Sequence, residues 1–180
     1  MLQWLRNKLS SKSKAEDQDV WPSVVMLLRE PIFPSPEEAV KVANVCWGQS
    51  VPVELAATTD NGMTYLLRRG DKAFTIHYGH GPYEVEGTEP TEIMQRPWDQ
   101  HRAWLSIDMP LIAKGLRETE AWGESHKLLL IFAFKSWSPN CLAIFFPTEG
   151  VTVPNFGDLA DSIRWGRQNG LKLDFLNKPK

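Results

Sequence analysis

The chain has 180 residues, of which 42% are hydrophobic and 23% charged, with a formal net charge of −2. That length can bury a core without disulfide or metal staples, and the composition is that of a soluble globular protein. A balance this close to neutral supplies no basic field to hold nucleic acid, so that class of partner is set aside.

Residues 1–20 read as an arm and linker ahead of a single domain spanning 21–180. "MLQWLRNKL" puts Leu2, Leu5 and Leu9 on one helical face, with Trp4 nearby and Arg6 and Lys8 elsewhere. Residues 1–14 carry the basic side chains Arg6, Lys8, Lys12 and Lys14 and no acidic one. "SSKSKAEDQD" follows without periodicity, as a linker does. A helix this short is marginal alone in water, so Leu2, Trp4, Leu5 and Leu9 are expected to dock on the chain's own domain, on a protein partner or on a second copy of the chain. A membrane surface is the competing acceptor, placed second because stable anchoring usually takes a second signal. The basic residues also interrupt the apolar ones, which argues against a signal peptide, and no apolar run approaches a membrane span.

"SVVMLLR" (Ser23–Arg29) is a continuous apolar run and predicts a central strand. Ser35 with Glu38 forms a capping-box pattern, and Pro36 falls at the first helical position. The helix so started should run to about Trp47 and stop at Gly48. Three strand-like runs follow, Pro52–Thr58, Met63–Arg69 and Lys72–Tyr78, with tight-turn residues at Asp60–Gly62 and Gly70–Asp71. In the last run Phe74, Ile76 and Tyr78 share one face, and Thr75 and His77 the other.

From Gly79 to Gln100 the pattern predicts an irregular segment, with Pro82, Pro90 and Pro97 and the glutamates Glu84, Glu86, Glu89 and Glu92. A connection this long is often functional. "HRAWLSIDM" (His101–Met109) reads as a strand with Trp104, Ser106 and Asp108 on one face. Residues Glu118–Trp137 are read as a helix, because Trp122, His126, Leu129, Ala133 and Trp137 follow helical spacing; a buried strand over Leu128–Phe134 is the alternative. Cys141–Pro147 is a strand, Asn155 is expected to cap a last helix, and Leu171–Phe175 alternates like an edge strand.

Cys46 and Cys141 are the only cysteines. They fall in the first helix and at the start of an apolar strand, and read as small buried hydrophobes in a reducing compartment, the cytoplasm. The eight tryptophans are spread evenly along the chain, which favours use in the core.

The most suggestive stretch is "TIHYGHGPYEVEG". His77 and His80, with His101 from the next strand, carry ligand chemistry suited to zinc, iron or copper. On a strand, positions i and i+3 face opposite ways, so the first two converge only if the glycines bend the chain. No metal or other cofactor is therefore expected. "GHGP" lacks the lysine and hydroxyl of a phosphate loop, and no G-x-S-x-G stretch occurs. If the long loop folds over the sheet, His77, Tyr78, His80, Trp98, His101 and Trp104 would line a pocket, apolar with a few polar groups.

The order of "HRAWLSIDM", the amphipathic stretch to "LLLIFAFKSW", and "CLAIFFP" resembles an uncharacterised bacterial family, a domain of unknown function. The resemblance covers most of Val20–Trp165. It implies a β–α unit, a hairpin, a strand bearing histidine and tryptophan, a long helix and a short strand. It supports a helix over Glu118–Trp137 and carries no activity.

The expected fold is α+β: a mixed or antiparallel sheet with helices mainly on one face, a variation on a ferredoxin-like arrangement. The expected function is a non-catalytic binding or protein-interaction module. The alternative is a hydrolase or metal-dependent enzyme using the His77, His80 and His101 neighbourhood.

Overall fold

The computed structural model describes residues 21–48, 51–85, 92–110 and 120–173, so the arm with Leu2, Trp4, Leu5 and Leu9 lies outside the described residues. Within them the fold is α+β, with four α-helices and one seven-stranded sheet that is antiparallel throughout.

The run Ser23–Leu28 forms β1, and every residue in it is buried. A strand lacking alternation must be covered on both faces, and β1 sits between two neighbours inside the sheet. Helix α1 (Pro36–Trp47) starts as its sequence implies. The Ser35 hydroxyl accepts from Glu38 N–H, the Glu38 carboxylate accepts from Ser35 N–H, and Pro36 opens the first turn. Gly48 ends it at φ +82°, a conformation that glycine adopts without strain.

The chain then meanders through β2 (Glu54–Thr58), β3 (Thr64–Arg69) and β4 (Lys72–His80). Gly62 and Gly70 supply the positive φ in the two connecting turns. Helix α2 (Glu92–Gln100), β5 (Ala103–Asp108), α3 (Glu120–Trp137), β6 (Cys141–Phe146), β7 (Val151–Pro154) and α4 (Leu159–Gln168) complete the order. The sheet runs β2-β3-β4-β5-β1-β6-β7. Helix α1 thus carries the chain from the middle of the sheet to its far edge, and β2, β3, β4 and β5 return it strand by strand until β5 lies beside β1.

Alternation divides the core between the two faces. Val24, Met26 and Leu28 join Phe74, Ile76, Leu105 and Ile107 on the first face, together with Leu129, Phe132 and Ala133 of α3. Trp47 ties α1 to α3: its Nε1 donates to the Leu128 carbonyl at 2.9 Å, and its ring stacks on Phe74 at 4.1 Å. Val25, Leu27, Ala143 and Phe145 point to the second face, where Met94 and Trp98 of α2 cover them.

Four local expectations need correction. The segment before β5 is not irregular throughout, because Glu92–Gln100 is helical despite Pro97 inside it. An interior proline removes a backbone donor and costs about 3 kcal/mol. Met94 and Trp98, four residues apart, offset that cost by packing on the second-face core. The last helix is capped by Asp158, which accepts from Asp161 N–H at 3.0 Å; Asn155 instead accepts from Gly157 N–H. Strand β7 was not anticipated. Leu171–Leu173 is not a strand: after the reversal at Gly170, Leu173 is buried against Gly166 of α4. Residues 174–175 of that expected strand lie outside the described residues.

Candidate functional site

The register of three strands determines what gathers on the second face. His77 pairs with Ser106 across β4 and β5, Asp108 pairs with Ser23 across β5 and β1, and Thr64 pairs with His77 across β3 and β4. Directly opposed residues share a face. Thr64, His77, Ser106, Asp108 and Ser23 therefore form a polar row across four strands, beyond the part of the face that α2 covers.

Asp108 is the hub. The hydroxyl of Ser106 donates to its Oδ2 at 2.6 Å, and the hydroxyl of Ser23 donates to its Oδ1. Burial pushes the carboxyl above the usual carboxylate range, while these donors and His77 pull it back. His77 Nε2 stands 3.9 Å from Asp108 Oδ2, an ion-pair separation rather than a hydrogen bond. Its Nδ1 is 3.0 Å from the Thr64 hydroxyl. The imidazole side chain is 40% exposed and that of Asp108 only 14%, so the inner partner is held and the outer one faces solvent. Loss of hydration lowers the His77 pKa, and the Asp108 charge opposes that shift. Among the described residues, His77 is the only ion-pair partner of Asp108.

An aromatic wall adjoins this row. Trp104 lies two residues before Ser106 on the same face and packs across Gly79, where an added Cβ would overlap the indole. Tyr83 meets Trp104 edge-on with ring centroids 5.1 Å apart. The Tyr83 phenol has its pKa raised, first by burial and then by the Asp108 charge, so the field of that carboxylate reaches the wall.

The six residues expected to line one pocket divide into three groups. His77 belongs to the polar row and Trp104 to the wall beside it. Trp98 and His101 stand further along the second face, in T-shaped contact at 5.8 Å. His101 is 2% exposed, and both ring nitrogens are engaged. Nε2 accepts from Tyr83 N–H at 2.7 Å, so Nδ1–H donates to the Trp98 carbonyl. Burial lowers its pKa, and the ring acts as a structural clamp. Tyr78 points to the opposite face, 4% exposed and stacked on Phe33 at 4.5 Å. His80 is on that face too, exposed beside the edge of Phe33.

The three histidines thus do not converge. Strand β4 continues straight through Gly79 to His80, and the glycine serves close approach of Trp104 instead of a bend. Among the described residues no three of His, Cys, Asp and Glu stand together as a metal-binding group.

Asp108, Ser23, Ser106, Thr64 and Tyr83 are the site residues that the expected pocket lacked. The signal was present in the strand faces: Thr75 and His77 on β4, and Trp104, Ser106 and Asp108 on β5. Pairing those faces requires the register, which no single strand carries.

Compared with protein-family models, with curated proteins and with solved structures, the chain matches none.

Proposed function

We propose that this chain is a non-catalytic binding module whose open sheet face takes a small organic cation at Asp108, His77, Tyr83 and Trp104. One observation carries the reading: a carboxylate supplied with donors from Ser23 and Ser106 lies beneath a half-exposed imidazole, and the Tyr83–Trp104 aromatic pair adjoins the same polar row. The hydroxyl donors and His77 favour the ionised form of Asp108, against the burial that raises its pKa. A carboxylate next to aromatic faces is the chemistry that attracts ammonium groups, through charge and cation–π attraction together. The serines donate to the carboxylate and not to His77, so neither is activated as a nucleophile.

The test is a chemical-shift titration of the isotopically labelled full chain with benzylammonium, benzoate and benzyl alcohol. The reading expects saturable shifts at His77, Tyr83 and Trp104 with benzylammonium, weaker ones with the alcohol, and none with benzoate. Asp108→Asn should abolish the preference for the cation. Equal response to all three probes, or none to any, would overturn it.

A second reading rests on the chain of contacts Thr64 hydroxyl–His77–Asp108, which joins a hydroxyl, an imidazole and a carboxylate in order. That connectivity suits general-base hydrolysis. Turnover of an activated ester that disappears in both Thr64→Val and His77→Ala would favour it over binding alone.

We place the protein in the reducing cytoplasm. Cys46 and Cys141 are free thiols, and burial raises both pKa values, which keeps them protonated and unreactive. Among the described residues no helix is long and apolar enough to cross a membrane.

A further inference from the structure

On the first face, away from the Asp108 site, α1 packs on α3 and α4 packs on β7, but no comparable packing joins α3 to α4. Between these two helices lies an open trough of about 610 Å³. Its floor is aliphatic: Leu130 and Ile131 from α3, Leu159 and Ile163 from α4. Ile131 is 41% exposed although it sits on a helix whose next residue, Phe132, is fully buried. The rim is cationic. Lys127, Arg164 and Arg167 line the trough, and among the described residues no carboxylate does. Arg164 pairs with Asp161 and Lys127 with Glu124, both on the same helix one turn away. The Arg164–Asp161 pair, with both side chains more than half exposed, contributes little and exchanges readily for a better-placed anion.

We infer that this trough is a docking groove for an acidic amphipathic helix of a partner protein. Leu159 and Ile163 are one helical turn apart, as are Lys127 and Ile131, so each wall presents aliphatic and basic positions in turn-spaced order. A helix laid between them buries an apolar stripe on the floor and sets glutamates or aspartates against the rim, the helix-in-groove mode of recognition. Charge complementarity selects this occupant over the chain's own N-terminal arm. Residues 1–14 carry Arg6, Lys8, Lys12 and Lys14 without an acidic residue, and would meet like charge.

The test uses two fluorescein-labelled peptides of about 18 residues, long enough to form a helix on binding. Both have leucines at helical spacing. One has glutamates on the flanks and the other lysines. Fluorescence anisotropy on the full chain should show saturable binding of the glutamate peptide and at least about tenfold weaker binding of the lysine peptide. Ile131→Glu and Arg164→Glu should each weaken the glutamate peptide at least about tenfold, while Asp108→Asn leaves it unchanged. Both substitutions are at exposed positions; circular dichroism checks that they fold, and Arg167→Glu replaces either one that does not. Equal binding of the two peptides, or wild-type binding by the folded variants, overturns the inference. So does displacement of the glutamate peptide by dodecanoate, which makes the groove a fatty-acid site. Tighter peptide binding after deletion of residues 1–20 overturns it in favour of the arm. A dimer that Ile131→Glu dissociates overturns it in favour of a second copy.

Discussion

The Trp104 indole rests on the backbone of Gly79, in the position a side chain at residue 79 would occupy. Gly79 is inside β4 and has ordinary strand geometry, so its lack of a side chain is a requirement of packing and not of φ. Gly79→Ala is expected to destabilise the protein by about 3 kcal/mol, the upper range for overpacking. In a Trp104→Ala background the same substitution should cost less than about 1 kcal/mol, because the clash has gone. Urea denaturation of the four proteins measures the coupling.

Trp47 connects α1 and α3, two of the helices on the first face. Trp47→Phe retains much of the stacking on Phe74 but loses the bond to the Leu128 carbonyl. A loss of about 1–3 kcal/mol is expected. Trp47→Ala should cost about 3–5 kcal/mol, since it also opens a cavity against Phe74 and Phe132. Thermal and chemical unfolding of both variants would check the order.

His101 holds Tyr83 N–H and the Trp98 carbonyl through one neutral tautomer. Its pKa is lowered on folding, so its contribution to stability is complete above the ordinary imidazole value and declines as pH falls below it. His77 acts in the same sense; Asp108, whose pKa is raised, acts in the opposite one. His101→Gln should destabilise the fold by about 1–3 kcal/mol at pH 7. It should also reduce the loss of stability between about pH 7 and pH 5, because the group that must be kept neutral is absent. Unfolding free energies measured across that range give both results.

Much of this fold is legible in local pattern. The unbroken apolar run of β1 announces a strand covered on both faces, and the Ser35–Glu38 box with Pro36 marks the start of α1. The helix over Glu120–Trp137 follows from the spacing of His126, Leu129 and Ala133. Helix α2 was hidden because Pro97 signals a break, and only the contact of Met94 and Trp98 with the second-face core makes the segment helical. The polar row was hidden for a different reason. Thr64, His77, Ser106 and Ser23 come from four strands, and their neighbourhood is a property of strand order and register. The histidines invited a metal reading because proximity in sequence is visible, whereas the face that each side chain occupies follows only from an unbent β4.

The account depends most on an ionised Asp108 acting on a half-exposed His77, and titration of the His77 ring by NMR tests this directly. The midpoint should lie below the ordinary imidazole value of about 6.5, because the ring has lost hydration. Asp108→Asn should move it lower still, since removing the carboxylate removes the charge that favours the imidazolium. A midpoint at or above the ordinary value, or one that Asp108→Asn leaves in place, would contradict the assignment of this face as an anionic binding site.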